Sequence, residues 1–320
     1  MNARRLIPTA AVTALGLAAL TACSTDDTAG NTGKFDVVAS FYPMQFLAEQ
    51  IGGDHVNVTT LTEPGQEPHD LELSTRQTAQ LGEADAVLYL KSLQPAVDEA
   101  VGQSGVDTRI DAAALTTLED HGGHSHEGED AHAADDAGDA HSHEGEDARD
   151  PHLWLDPVKY AEVAKGVGAA FEKADLDNAA DYRKNTDALV KKLDALNTRF
   201  KDGLRNTDTK VFFTHHAAFS YLAERYGLTQ EAIAGLDPES EPSPARIKEL
   251  QEEAEADGVT TVFYETLVSD RTAKTLARDT GLRTDVLDPL EGITDKSRGD
   301  DYFQVMDANL AALQKALGSA

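Results

Sequence analysis

The chain has 320 residues, 57 of them acidic and 28 basic, for a formal charge of −29. That length suits two domains of ordinary size, and an apolar share of 40% suits packed cores. The charge argues against nucleic acid as a partner, since no basic face is available for phosphates, and it favours cations.

The N-terminus reads as a targeting segment. Arg4 and Arg5 precede the apolar run "AAVTALGLAALTA", which is too short and too rich in Ala and Gly for a good membrane span. The run ends in "LTAC", and Cys23 is the only cysteine. Small residues before a lone cysteine resemble a bacterial lipobox, so residues 1–22 are expected to be a signal peptide and Cys23 to carry a lipid. The polar stretch 23–33 then serves as a flexible tether. No disulfide is available, so the core or a bound ligand must hold the fold.

From residue 35 strand and helix alternate. "FDVVAS" (35–40) reads as a buried strand, and "PMQFLAEQIGG" (43–53) as a helix begun by Pro and stopped by a Gly pair. "HVNVTTL" (55–61) alternates like a strand, Ser74 opens a short helix, and "DAVLYL" (85–90) is a strand. A helix near 95–103 and a short strand near "TRIDA" follow. This order implies a parallel sheet covered by helices.

Residues 119–149 break the pattern. The octapeptide "HSHEGEDA" occurs at 124–131 and again at 141–148, and His121, His124, His126, His132, His141 and His143 are six of the chain's eleven histidines. Between 121 and 147 there are nine carboxylates and no large apolar residue. Such a stretch cannot bury enough surface to offset its ordering entropy, so a disordered surface loop is expected. It can hold metal only weakly, because fixing each residue costs about 1–2 kcal/mol. An accessory metal role is expected, with capture, hand-off or sensing as its forms.

Order resumes at "DPHLWLDP" (150–157). A helix is predicted over 158–174 and a longer one over 178–204, with Leu189, Leu193, Leu196 and Phe200 stepping by three or four. The second helix is long enough to cross between domains. A second series follows: the strand "KVFFTH" (210–215), a helix through "AAFSYLAERYG", the helix "EPSPARIKELQEEAEADG", the strand "VTTVFYE", the helix "SDRTAKTLARDTG", the strand "RTDVLDPL" and the helix "DDYFQVMDANLAALQKAL". The expected fold is α/β, with an N-terminal lobe over 34–177, a linking helix over 178–205 and a C-terminal lobe over 206–320.

Ligands of open α/β sheets bind beyond the carboxyl ends of strands. His69 in "EPGQEPHDLEL", His152 in "DPHLW", His215 and His216 after "KVFFT", and Glu291 in "LDPLEG" occupy such turns. Imidazoles and a carboxylate in a dry cleft suit a borderline divalent ion such as Zn²⁺. Each residue alone is ambiguous, and no local spacing ties the four together. Neighbours on a strand face opposite ways, so His215 is expected to hydrogen-bond rather than share an ion with His216. His55 is expected to be a surface residue.

"ASFYPMQFLAEQIGGDHVNVTTLTEPGQEPHDLELS", "DPHLWLDP", "HHAAFSYLAERYGL", "EPSPARIKEL", "VFYETLVS" and "DVLDPLEG", in this order, resemble the metal-binding lipoproteins of zinc and manganese ABC importers, and the zinc-uptake member in particular. The resemblance covers roughly residues 34–320. It implies two α/β lobes joined by one rigid helix, with the metal in the cleft between them. It also implies His69, His152, His216 and Glu291 as the metal ligands. Three imidazoles favour zinc over manganese, whose sites in that family usually have two His and two carboxylates. The expected protein is therefore a monomeric, lipid-anchored, extracytoplasmic Zn²⁺ carrier that serves a membrane ABC permease. The alternatives are a manganese carrier and a secreted zinc-dependent hydrolase. The hydrolase is disfavoured because four protein ligands leave no position for an activated water, and neither "HExxH" nor "GxSxG" is present.

Overall fold

The computed structural model describes residues 33–121 and 149–319. The expected signal peptide, Cys23 with the lipid expected on it, and His124, His126, His132, His141 and His143 lie outside the described residues. Two four-stranded, wholly parallel sheets organise the chain. β1 (Phe35–Ala39), β2 (Val56–Thr60), β3 (Ala86–Tyr89) and β4 (Thr108–Asp111) form the first, in the order β2-β1-β3-β4. β5 (Val211–Thr214), β6 (Thr229–Ala232), β7 (Thr261–Tyr264) and β8 (Arg283–Val286) form the second, in the matching order β6-β5-β7-β8. In each sheet the order reverses beside the first strand, which is where open α/β sheets form ligand crevices.

The inner strands β1, β3, β5 and β7 are apolar along most of their length, as sheets covered on both faces require. The edge strand β6 was not predicted. Its sequence "TQEA" carries no apolar alternation, and backbone pairing to β5 in the register Val211↔Thr229 to Thr214↔Ala232 makes it a strand.

The helices α1 (Tyr42–Gly52), α2 (Thr75–Glu83), α3 (Pro95–Gln103), α4 (Pro157–Ala174), α5 (Ala179–Gly203), α6 (Ser220–Tyr226), α7 (Pro244–Ala256), α8 (Arg271–Thr280) and α9 (Tyr302–Leu317) cover the sheets. Their starts follow local chemistry. Ser74 and Gln77 form a reciprocal capping box at α2, and Asp156, Ser243 and Asp301 accept N-terminal backbone N–H groups of α4, α7 and α9. α6 begins at Ser220, later than the sequence suggested, because the preceding residues form a turn.

α5 is about 38 Å long at 1.5 Å per residue. Its Leu189, Leu193, Leu196 and Phe200 are all buried. Asn185 donates to the Ile51 carbonyl of α1 at 3.0 Å, and Arg199 pairs with Asp307 of α9 at 2.8 Å, so the helix reaches both sheets' layers. A Cβ at Gly168 of α4 would stand 2.2 Å from the Thr186 hydroxyl of α5, so only glycine permits that approach. One continuous apolar core includes Leu47 and Val167 from one half and Leu222 and Leu313 from the other.

Trp154 ties the halves beside the cleft. It is fully buried, its indole N–H donates to the Pro289 carbonyl at 2.7 Å, and its own carbonyl accepts from the Tyr302 hydroxyl at 2.7 Å. The Phe41 ring meets it edge-on at 5.0 Å. Among the described residues, no helix is long and apolar enough to cross a membrane.

Candidate metal centre

Four loops deliver His69, His152, His216 and Glu291 to one place, and one ligand atom from each lies within 4.8 Å of all the others. His69 follows β2 in a turn closed by Glu67, whose carboxylate accepts the backbone N–H groups of His69 (3.1 Å) and Asp70 (3.3 Å). His152 precedes a short 3-10 turn, Leu153–Leu155. Asp150 Oδ1 accepts its backbone N–H at 2.9 Å and stands 2.8 Å from its Nδ1.

His216 follows β5. Its carbonyl accepts from Thr214 Oγ1 at 2.8 Å and Gln230 Nε2 at 2.9 Å, and its Nδ1 lies 2.6 Å from Glu265 Oε1. Glu291 follows β8 after a left-handed residue, Leu290, whose φ is 60°. That conformation costs a non-glycine residue about 1–3 kcal/mol. It is held by Asp288, whose Oδ1 accepts the Leu290 N–H at 2.9 Å, and by Asn309, which brackets Asp288 with two bonds of 2.9 and 2.7 Å.

Glu291 Oε1 is the hub. It lies 3.2 Å from His69 Nε2 and 3.3 Å from both His152 Nε2 and His216 Nε2. The Nε2 atoms of His152 and His216 are 3.4 Å apart. Charge-assisted N–H···O⁻ bonds usually close to about 2.7–2.9 Å, so these contacts are looser than direct ion pairing would leave them. Glu291 Oε2 and Glu265 Oε2 are buried without a hydrogen-bond partner. Buried carboxylate oxygens left so are costly, and a cation relieves that cost.

The electrostatics agree. Burial pushes the Glu291 carboxyl up, but His216, His152 and His69 outweigh it and hold the group well below its usual range. Burial opposes charge on His216, yet Glu265 and Glu291 raise its proton affinity well above that of a free imidazole. His152 is likewise raised, with Asp150 and Glu291 overcoming burial. Asp150 and Glu265 are both held low by their imidazole partners, again against burial. Raised imidazoles and lowered carboxylates thus alternate through the site.

His215 lies outside the four-residue group. It is buried and hydrogen-bonded, as expected, although β5 ends at Thr214, so it follows the strand and does not alternate along it. Its Nδ1 lies 3.0 Å from the same Glu265 oxygen that His216 contacts. His55 lies at the surface as expected, with its side chain 34% exposed, where it ends a 3-10 turn, pairs with Asp181 at 3.0 Å and meets the Tyr182 ring edge-on at 6.0 Å. His121, of the accessory set, is fixed by Asp150 Oδ2 at 2.9 Å.

Sequence reasoning missed Asp150 and Glu265. A carboxylate that receives the second nitrogen of a ligating imidazole fixes its tautomer and direction. Glu265 ends the strand "VTTVFYE", and the strand-end rule that singled out His216 applies to it equally. Asp150 had the weaker signal of standing two residues before His152.

A model of the family described as zinc-uptake complex component A, periplasmic, matches residues 37–316. The zinc-binding lipoprotein AdcA of Streptococcus pneumoniae is 35% identical over 306 residues, covering 92% of this chain and 58% of that protein. The chain thus spans less than two thirds of that relative's length. The high-affinity zinc uptake system protein ZnuA of Bacillus subtilis is 34% identical over 306 residues, 92% of this chain and 93% of its own. The crystal structure of the Zn(II)-bound ZnuA-like domain of S. pneumoniae AdcA superposes with a TM-score of 0.72 at 32% identity, covering 89% of this chain and 99% of that one. The laminin binding protein Lmb of Streptococcus agalactiae, described as having adhesin and metal transporting activity, gives 0.76 at 29% identity over 89% of this chain and 99% of that one. The α/β fold of two parallel-sheet lobes is common to these structures, and with the match over residues 37–316 the chain belongs to the zinc-uptake complex component A family of periplasmic transport proteins.

Proposed function

We propose that the chain is a high-affinity extracytoplasmic Zn²⁺-binding protein that captures zinc and passes it to an ABC permease. His69, His152, His216 and Glu291 are its four ligands. One observation carries the reading. Ligands about 2.05 Å from an ion at the centre of a tetrahedron stand about 3.3 Å apart. Four of the six edges here measure 3.2, 3.3, 3.3 and 3.4 Å.

Three imidazoles and one carboxylate suit Zn²⁺ better than Mn²⁺, which prefers oxygen donors. The names of the relatives support the same metal. With all four positions supplied by protein, no position remains for an activated water, so the site binds and does not catalyse. His69 is the only one of the four with appreciable exposure, 12% of its side chain, so it is the ligand through which the ion arrives and leaves. The lobe and linker boundaries given above, the anchoring of the chain by a lipid on Cys23, and its action as a monomer belong to the same proposal. So does the accessory, weaker metal role of the histidine-rich stretch.

Competition against a chromophoric chelator tests the assignment on the full mature chain. His216→Ala is expected to abolish the tight equivalent. Unchanged tight binding in that variant would move the site elsewhere, and turnover of ester or amide substrates by the zinc-loaded chain would revive the hydrolase.

A further inference from the structure

One helix of the C-terminal half grips both ends of the segment that carries His152. α6 begins at Ser220, just after the turn of His216, and its Tyr221 and Arg225 stand one turn apart on the same face. At the start of the segment, the Tyr221 hydroxyl donates to the Asp150 carbonyl at 2.8 Å and accepts the Glu119 N–H at 2.8 Å. At its end, Arg225 Nε and Nη2 lie 2.8 and 2.7 Å from Asp156 Oδ2. The other oxygen of Asp156 accepts the Val158 N–H at the opening of α4, at 2.9 Å.

These anchors are shielded from water on the side of the segment. Tyr221, Asp150 and Asp156 are all buried, as are Leu153, Trp154 and Leu155 between them. Asp150 passes the constraint to His152, because its Oδ1 accepts the His152 N–H at 2.9 Å and stands 2.8 Å from Nδ1. Lys159 of α4 lies over the Tyr221 ring at 4.9 Å, a further tie between α4 and α6. His69 is held differently, by Glu67 within its own turn.

We propose that Tyr221 and Arg225 are positioning residues for zinc, which clamp the His152 segment onto the C-terminal half and keep His152 Nε2 in place beside His216 Nε2. The inference rests on the zinc-carrier reading above and deepens it. Neither side chain belongs to the ligand set, and each acts through residues 150–156. The 3.4 Å separation of the two Nε2 atoms is close to a tetrahedral edge and is set by α6 without help from the ion. A ligand ordered in advance loses less freedom on binding, so the clamp raises affinity.

Chelator competition on the full chain, arranged as double-mutant cycles, tests this. Arg225→Gln is expected to lower zinc affinity by about tenfold in the otherwise native chain and again in His69→Ala. It is expected to change nothing further once His152 is Ala, because the group it positions is gone. Tyr221→Phe deletes one hydroxyl and should follow the same pattern, which keeps the test open if Arg225→Gln does not fold. Arg225→Lys, which retains the charge, should recover part of the loss. Thermal melts of the metal-free variants check that each is folded. An equal loss in the His152→Ala background would mark a general effect on the fold and overturn the clamp, as would unchanged affinity in the native background. Undiminished tight binding by His152→Ala itself would instead sink the ligand assignment on which the clamp depends.

Discussion

The two halves of the molecule use one sheet order but supply their metal-facing side chains differently. In the C-terminal half, His216 and Glu265 come from the ends of β5 and β7, which are neighbours in the sheet, so the imidazole and its orienting carboxylate are set by strand pairing. In the N-terminal half, His69 and His152 sit on loops well beyond any strand, and His152 is oriented by Asp150 two residues away. The C-terminal half therefore acts as a template formed by the sheet itself. The N-terminal half closes over it with locally held turns, and it contributes the one solvent-reachable ligand. On the reading proposed above, the four ligands thus divide into a side fixed by the sheet and a side, with His69, open to exchange.

The largest expected effect breaks the fixed side. His216→Ala removes a buried imidazole that contacts both Glu265 and Glu291, leaving Glu265 only His215 and Glu291 only His69 and His152. Zinc affinity is expected to fall by more than about 100-fold, beyond what loss of an orienting group costs. At a zinc concentration 1,000 times the original Kd, the wild-type chain gains about 4 kcal/mol of stability from the ion. Most of that gain should vanish from the variant's thermal melt. His69→Ala should lower affinity less than His216→Ala and speed release more, as stopped-flow transfer to a chelator would read. Equal effects of the two on both quantities would erase the distinction between the sides.

Next in size is Glu265→Gln, expected to cost about 10–100-fold in affinity by loosening His216. Acid should act in the same direction. Zn²⁺ must displace protons from His152 and His216, whose proton affinities are raised in the fold, so affinity should rise with pH until their raised pKa values are passed. Each displaced proton contributes up to about tenfold per pH unit. Calorimetric titrations across pH 5.5 to 8 in several buffers would count the protons. For the metal-free chain the signs run opposite for the two ligand types. The raised imidazoles stabilise the fold fully below the ordinary histidine value and lose that contribution as pH rises through their raised values. The lowered Glu291 stabilises it above the ordinary glutamate value and loses that as pH falls through its own.

The smallest effect concerns the element the halves share. Arg199 and Asp307 are each nearly half exposed, so Arg199→Ala should change stability by no more than about 0.5 kcal/mol and leave zinc affinity unchanged. A measurable change in affinity would mean that α5 transmits strain to the cleft.

Much of this was legible in the sequence because apolar periodicity reports burial, and burial organises the sheets. Leu189, Leu193, Leu196 and Phe200 announced α5 for that reason. β6 was not legible, because "TQEA" is an edge strand whose structure comes from a neighbour's backbone and not from its own side chains. The four central residues stood out as strand-end His and Glu, yet nothing local linked them, since they are brought together across more than 200 residues of chain. Asp150 and Glu265 were harder still. A carboxylate that orients an imidazole looks in sequence like any other acidic residue, and this chain has 57 of them. His215 was legible as a hydrogen-bonding residue outside the four, although its partner Glu265 was not.

Trp154 is the chain's only tryptophan, and its ring lies 5.2 Å from that of His152. All indole emission from this protein therefore originates beside the metal centre. A protonated imidazole quenches a neighbouring indole, and a closed-shell ion that takes the proton's place does not. On the zinc-carrier reading proposed above, zinc binding is therefore expected to change that emission without any label, and a zinc titration followed by fluorescence would read it.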